Sequence, residues 1–436
     1  MEEIKEVEVN IPQWAQGRHI DEVEFCHVFL MHFPMVYVDG EFYGKAGHLP
    51  ESRVRKLIFD YLSCFIHTGL AKKVTGILEA LKMECHRDTL NLSETQIHCA
   101  NGTYSLNQDQ FSTNKTYCRC RLPVDFNRDA PEPKQWLAFL EELLEPEDIL
   151  TLQEYMGYCL LPVNYAQKML LIIGNGGEGK SRIGVVLHAL MGSAMCNGSL
   201  AKVENNRFAR YDLQNKLLMI DDDLRLEALQ NTNYIKSIIT AEQPLDLEKK
   251  GCQSVQGEMS CRFMAFGNGN LRSLHDRSNG FFRRQIILST KPRRDDRVDD
   301  PFLAVKIKND ELEGILQWMI RGLERLLLND LNFTISQQTR KNMEAAISEG
   351  NNVLDFMGST GYFTYDEQDC ITSRLLCILY RDWCRDNSHT PLPDRTVLSY
   401  LKQHAHRYKL RASNNIPIGN GRMARGFYGM RSCPRF

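Results

Sequence analysis

The sequence predicts an α/β protein: a core on a buried parallel sheet, an α+β segment before it and a basic helix–helix–hairpin segment after it. Three observations carry this. Between Lys168 and about Lys291, short apolar runs alternate with loops and helix-patterned segments, as strands covered on both faces do. Before residue 130, short strand and helix patterns surround Asp-Gly and Asn-Gly turns. From Ile371 to Phe436, twelve Lys or Arg stand against three Asp, a net +9 in a chain whose total is −2. At 436 residues and 43% hydrophobic, the chain is long enough for two or three domains with a real core. The expected boundaries are 1–130 for an N-terminal accessory domain, 131–350 for the core and 351–436 for a winged-helix-like domain.

In chain order, "MVYVDGEFYG" (Met35 to Gly44) reads as a hairpin through Asp39-Gly40. "SRVRKLIFDYLSCFI" (Ser52 to Ile66) has helical apolar spacing behind a Ser cap, and "IHCANGTYSL" (Ile97 to Leu106) suggests a second hairpin. The Pro-rich "RLPVDFNRDAPEPKQ" (Arg121 to Gln135) is a connector. The helices "KQWLAFLEELL" and "DILTLQEYMGYCLL" lead into the α/β region, and "ELEGILQWMIRGLERLLL" (Glu311 to Leu328) follows it.

Several classes are excluded or disfavoured. The first ten residues are charged rather than apolar, and no 18-residue apolar run exists, so no signal peptide or membrane span is expected. Fourteen cysteines without a CxxC pair suit a reduced intracellular protein. Cys118 and Cys120, and the evenly spaced Cys370, Cys377 and Cys384, lack zinc-site spacing, so buried thiols are expected.

The chemistry starts at "MLLIIGNGGEGKS". An apolar strand (Met169 to Ile173) runs into Gly174, Asn175, Gly176, Gly177, Glu178, Gly179, Lys180 and Ser181, and "RIGVVLHAL" continues as a helix. Strand, G-x-x-x-x-G-K-S and helix together form a phosphate-binding loop, in which glycines let successive N–H groups face an anion. Lys180 would meet the β- and γ-phosphates of ATP, and the Ser181 hydroxyl would ligate Mg²⁺. "KLLMIDDDL" (Lys216 to Leu224) is a second apolar strand ending in acids, suited to orienting a metal and polarising water. Asp222 and Asp223 are favoured, Asp222 as metal ligand, with Asp221 competing for that role. "CRFMAFGNGN" (Cys261 to Asn270) is a third strand, whose Asn268 would hold a lytic water between the first two strand ends. "DRSNGFFRRQIIL" (Asp276 to Leu288) offers Arg283 and Arg284 at the start of a β-type run, suited to phosphoryl charge, often in a neighbouring subunit.

Phosphate loop, acidic strand end, Asn-tipped strand and arginine pair, in this order within about 110 residues, resemble the superfamily 3 helicases of the AAA+ class. The set is more similar to the phage/plasmid and poxvirus primase–helicase family. "LEPEDILTLQEYMGYCLLPVNYAQKMLLIIGNGGEGKSRIG" and "NNRFARYDLQNKLLMIDDDL" resemble its approaches to the two acidic and phosphate motifs, and "CANGTYSL" its accessory domain. The resemblance spans roughly residues 35 to 350. It implies an AAA+ motor, Walker A at Gly174, Gly179, Lys180 and Ser181, Walker B at Asp222 and Asp223, a sensor at Asn268, and a finger at Arg284 with Arg283 second. It also makes "ITAEQPLDLEKKGCQSV" (Ile239 to Val255) a hairpin whose tip carries Lys249 and Lys250 into a DNA channel. Two departures stand out. The region before Leu144 is too short for a priming domain as well, and "GNGNL" lacks the Pro expected soon after the sensor Asn.

In the basic tail, "SRLLCILYRDWCRDN" and "DRTVLSYLKQHAHRYKL" (Asp394 to Leu410) read as two helices, and "NNIPIGNGRMARGFYGM" as a wing turning at Asn420-Gly421. That order suggests a winged helix-turn-helix, with Lys402, Arg407 and Lys409 on the helix and Arg422 and Arg425 on the wing as DNA-backbone contacts. The expected function is an ATP-dependent DNA helicase of phage or mobile-element replication, translocating on single-stranded DNA as a homo-oligomeric, hexameric ring. It would act in the cytoplasm of a bacterial or phage-infected cell, with double-stranded DNA at the tail and a primase, polymerase or loader as candidate partners. The alternatives are a self-loading origin-binding initiator and, more distantly, a P-loop small-molecule kinase.

Overall fold

The structure is a computed structural model that describes residues 12–16, 19–90, 93–224, 231–251, 253–268, 279–294, 300–350, 352–387, 389, 391–418 and 422–433. The chain divides into two compact units: residues 1–270 with 283–342, and residues 271–282 with 343–436.

The first unit opens with helix α1 (Glu22–His32), capped by the Asp21 carboxylate, which accepts from Glu24 N. Strands β1 (Met35–Val38) and β2 (Glu41–Gly44) form the expected hairpin, its turn made by Asp39 and Gly40, both at positive φ. Strand β3 (Gly47–Leu49) pairs with β2. Helices α2 (Glu51–Ser63) and α3 (Leu70–Glu84) pack against α1 and this sheet around Phe25, Phe29, Phe42, Ile58 and Leu78. The expected Ser52 cap is not used: α2 begins two residues earlier than that cap would place it, behind Pro50, and has no side-chain cap. A second antiparallel sheet, β4 (Gln96–Cys99), β5 (Gly102–Ser105) and β6 (Gln110–Ser112), stacks Tyr104 and Phe111 on Phe126.

Helices α4 (Lys134–Leu143) and α5 (Pro146–Tyr158) lead to β7 (Met169–Gly174), α6 (Ser181–Met191), β8 (Met195–Asn197), α7 (Leu200–Asn205) and α8 (Arg207–Tyr211). Then come β9 (Leu218–Leu224), α9 (Asn233–Thr240), the hairpin β10 (Leu245–Leu247) and β11 (Val255–Gly257), and β12 (Arg262–Asn268). After the short α10 (Asn279–Phe282) of the other unit comes β13 (Gln285–Ser289), followed by α11 (Leu303–Asp310) and α12 (Leu312–Leu328).

Five of these strands form one parallel sheet in the order β13-β7-β12-β9-β8. The chain goes from β7 out to the edge at β8, returns through β9, and places β12 between β9 and β7 before crossing to β13. Reversal of the strand order beside β7 opens a crevice at the carboxyl ends of β7, β12 and β9. The expected apolar strands are buried on both faces, from Leu170 and Ile172 to Phe263 and Ile286. At the other end of β12, the buried Arg262 guanidinium donates to the carbonyls of Val163, Ser260, Tyr158 and Leu161.

The second unit has its own core, with Phe356, Tyr380, Trp383, Leu401 and Phe427 at its centre. Helix α13 (Gln337–Gly350) contains the 342/343 division, and α14 (Val353–Gly358) follows. Strand β14 (Phe363–Thr372), α15 (Ser373–Asp386), α16 (Asp394–Gln403), β15 (Arg411–Pro417) and β16 (Met423–Ser432) complete it, with sheet order β14-β16-β15. The expected helix to Leu410 is corrected: it stops at Gln403, a 3₁₀ turn covers Ala405–Tyr408, and Lys409 is left-handed at φ 53°. That reversal is what buries Leu410 and aims the chain into β15. The expected turn at Asn420-Gly421 lies outside the described residues.

Helices α5 and α12 touch through glycine. A Cβ on Gly157 would stand 2.3 Å from Met319 O and 2.6 Å from Leu323 N, and one on Gly322 2.5 Å from Gln153 O. Gly157→Ala therefore forces the pair apart and should destabilise the first unit by about 2 kcal/mol, read as a lower chemical-denaturation midpoint. An unchanged midpoint would show that the two helices do not depend on this contact.

Candidate nucleotide site

The glycine-rich loop sits where β7 turns into α6. Gly176, Gly177 and Gly179 adopt φ of 101°, 81° and 103°, conformations that residues with a Cβ resist, so the glycines let the loop fold back tightly between β7 and α6. It walls a cavity of about 260 Å³ lined by Gly176, Gly177, Gly179, Lys180, Ser181 and Arg182, and by Asp222, Phe266 and Asn268 from the neighbouring strands. A chain of phosphates needs this kind of space, and a single ion does not.

The three acids of β9 separate by environment. Asp221 is buried, and its Oδ2 accepts from Leu200 N at 2.8 Å, fixing the start of α7. Burial pushes its carboxyl above the usual range. Asp222 and Asp223 are exposed, and Asp222 reaches the cavity. Register explains the difference. Against β12, Asp221 pairs with Ala265 but Leu224 with Gly267, so Asp222 and Asp223 form a bulge that re-aims both side chains. Asp222 thus lines the same cavity as Ser181, while Asp221 is occupied by backbone.

Asn268 ends β12, paired with Gly174 of β7, and its Oδ1 accepts from Lys180 Nζ at 3.1 Å. Residues 269–278, where the expected Pro is missing, lie outside the described residues. Lys180 also donates to Glu178 Oε2 at 2.9 Å, and that carboxylate accepts from Asn175 N and from Gly176 N at 3.0 Å. Glu178 was expected among the nucleotide-binding residues of the loop but is not part of the cavity lining, and sequence reasoning missed two cations here. Arg182 lines the cavity, and Arg293 Nη1 lies 3.6 Å from where a Cβ on Gly177 would stand. The signal for Arg293 was its place just after β13, since all carboxyl ends of a parallel sheet lie on one side.

Arg283 and Arg284 immediately precede β13, so they lie at the opposite end of the sheet, about 16 Å of strand away from the loop. Arg283 is exposed. Arg284 Nη2 donates to Thr240 Oγ1 at 3.1 Å, and burial, then Arg283, lowers its pKa. Lys168, whose Nζ donates to Arg283 O, makes this a three-cation cluster that the sequence did not announce.

The expected hairpin between β9 and β12 is β10–β11, and Lys249 and Lys250 lie in its turn. Lys250 is exposed, but Lys249 is tied down. Its Nζ stands 3.0 Å from Glu41 Oε1 on β2 and 5.2 Å from the Tyr211 ring centroid. Glu41 also accepts from Tyr211 Oη at 2.5 Å and lies 3.0 Å from His48 Nε2.

In the second unit, Lys402 is on α16, Arg407 is on the 3₁₀ turn and Lys409 is at its end, so the expectation of one helix for all three is corrected. Arg422 lies just before β16 and Arg425 within it, and all five bases are exposed. Among the described residues, no helix is long and apolar enough to cross a membrane.

Comparison with known proteins gives two partial family matches: D5 N terminal like over residues 65–145, and a family of unknown function (DUF5906) over 172–284. No curated protein matches the chain. Among solved structures, the apo NrS-1 C terminal region (305-718) is similar at TM-score 0.57 and 10% identity, covering 94% of this chain and 99% of that one. Its A form matches at TM-score 0.53 and 11% identity, covering 94% and 100%. At such identity the likeness is one of fold.

The Glu41 cluster makes a pH prediction. Burial raises the Glu41 pKa, but hydrogen bonds from His48, Tyr211 and Lys249 outweigh it and hold the carboxyl down at about 2. A folded pKa below the unfolded value of about 4.3 gives stability that is present above pH ~5 and lost as pH falls toward 2. Glu41→Gln should lower the denaturation midpoint at pH 7 and flatten its decline between about pH 5 and 2. A variant with an unaltered pH profile would show that the pairing adds nothing.

Proposed function

We propose that the chain is an ATP-driven DNA motor of the superfamily 3 helicase kind, serving replication of a phage or mobile element. One observation carries the reading: Lys180, Ser181, Asp222 and Asn268, from three separate strand ends, wall a single cavity at the crevice where the strand order reverses. Loop N–H groups and Lys180 would bind the β- and γ-phosphates of ATP, with Arg182 beside them. The Ser181 hydroxyl and the Asp222 carboxylate fit Mg²⁺, hard oxygen donors facing the same space as the lysine. The metal would neutralise phosphate charge during transfer. Asn268 would orient the attacking water, and Asp223, on the same bulge, is the second acid.

The remaining features support a ring that works on DNA. Arg283 and Arg284 stand at the wrong end of the sheet to serve their own cavity, which suits a finger offered to a neighbouring copy, in a hexamer by the family resemblance. Lys250 at the hairpin turn suits single-stranded backbone. The second unit has the helix, strand, helix, helix, strand, strand order of a winged helix, with exposed Lys402, Arg407, Lys409, Arg422 and Arg425 suited to duplex phosphates. Those bases also favour a second reading, an origin-binding initiator that loads itself and unwinds secondarily. A cytoplasmic site of action, and a primase, polymerase or loader as partner, belong to the same proposal.

Hydrolysis of ATP should rise on adding single-stranded DNA, and a rate indifferent to DNA would defeat the motor reading. Lys180→Ala should abolish turnover, and Asp222→Asn should lower it by about 100-fold or more. Asp221→Asn should stay within about fivefold of the parent, because its oxygen serves Leu200 N. Equal losses at 221 and 222 would reassign the metal. Mixing Lys180→Ala with Arg284→Ala protein should restore activity. Failure at every ratio would argue against a shared site.

A further inference from the structure

We propose that Glu178 is a positioning residue that holds the Lys180 ammonium at the place where phosphate charge will lie. The inference rests on the nucleotide-site reading above and concerns a carboxylate to which that reading gave no task.

Glu178 is 3% exposed, and its neighbours Gly177 and Gly179 wall the cavity, so the side chain lies beneath the loop rather than in the ligand's space. There its two oxygens collect Asn175 N, Gly176 N and Lys180 Nζ. Lys180 is itself buried, and its ammonium is held between this carboxylate and Asn268 Oδ1. A second observation is independent of those bonds. A Cβ on Gly174 would stand 2.9 Å from both Glu178 Cδ and Oε1, and 2.3 Å from Thr290 Oγ1. The first glycine of the loop thus makes room for this carboxylate and for Thr290, just past β13, whatever the phosphates require.

The physical argument concerns freedom and charge. A lysine stem has about 2 kcal/mol of rotamer entropy to lose, and a buried ammonium without a counter-ion is costly. Fixing the ammonium before nucleotide arrives moves that ordering out of the reaction, as the Lys–Glu ion pair does in protein kinases. The price is a negative charge near the phosphates, so ground-state affinity gains little while transition-state placement gains more. A carboxylate occupying the ligand's own place would do the reverse and be expelled on binding.

Glu178→Gln keeps the length and an acceptor oxygen and removes the charge. In the full chain, with Mg²⁺ and single-stranded DNA, kcat should fall at least about tenfold while MgADP affinity changes by less than about threefold. The nucleotide-free melting temperature should fall by a few degrees, because the buried Lys180 loses its counter-ion, while retained MgADP affinity shows that the loop still folds. Glu178→Asp, which keeps the charge on a shorter stem, should recover part of the lost kcat. Tenfold tighter MgADP binding by the Gln variant would overturn the proposal in favour of an internal phosphate mimic. An unchanged kcat would also overturn it, as would joint loss of affinity and melting temperature, which would mark a loop-folding role alone. Parent protein that binds no MgADP would instead remove the nucleotide reading beneath it.

Discussion

Everything at the site depends on β12 hydrogen-bonding in parallel to both β7 and β9. Register along those two ladders sets Asn268 beside Gly174 and brings the bulged acids of β9 to the same edge. A β12 strand on the outside of the sheet would put β7 directly against β9, close the gap of one strand's width between the glycine loop and Asp222, and leave Lys180 without Asn268. The strand is able to take that position because it is apolar on both faces, and its one buried cation, Arg262, donates through both terminal nitrogens to four carbonyls at the opposite end.

The N-terminal sheets are joined to this core by polar contacts as well as by packing. Tyr43 Oη donates to Asn215 Oδ1 at 3.1 Å, Cys120 Sγ to Asn215 O at 3.1 Å, and Tyr211 reaches Glu41. Asn215 and Tyr211 flank the segment that leads into β9. The approach to β9 is therefore held from outside the parallel sheet.

How much of this was legible in the sequence varies with the range of the interaction concerned. The strand–loop–helix over 169–191 and the hairpin at Asp39-Gly40 were readable because apolar runs and glycine positions act within a few residues. The choice between Asp221 and Asp222 was not, since three adjacent identical residues differ only through a bulge set by the partner strand. The end of α16 was missed for a related reason: helical spacing continues past Gln403, but Leu410 is buried only if the chain reverses. The cluster of Lys168 with the arginine pair needed the parallel pairing of β7 and β13 before it became visible.

The tie between Glu41 and Lys249 has a consequence for how the molecule is made. The two residues are 208 positions apart, so at about 5–20 residues per second Glu41 leaves the ribosome about 10–40 s before its cation exists. Tyr211 arrives late too, and only His48 is synthesised alongside. During that interval the N-terminal sheet must either keep a charged carboxylate hydrated at its edge or remain unfinished. The contact between sheet and hairpin therefore forms only after residue 249 has been made, well after the strands that carry Glu41 and His48.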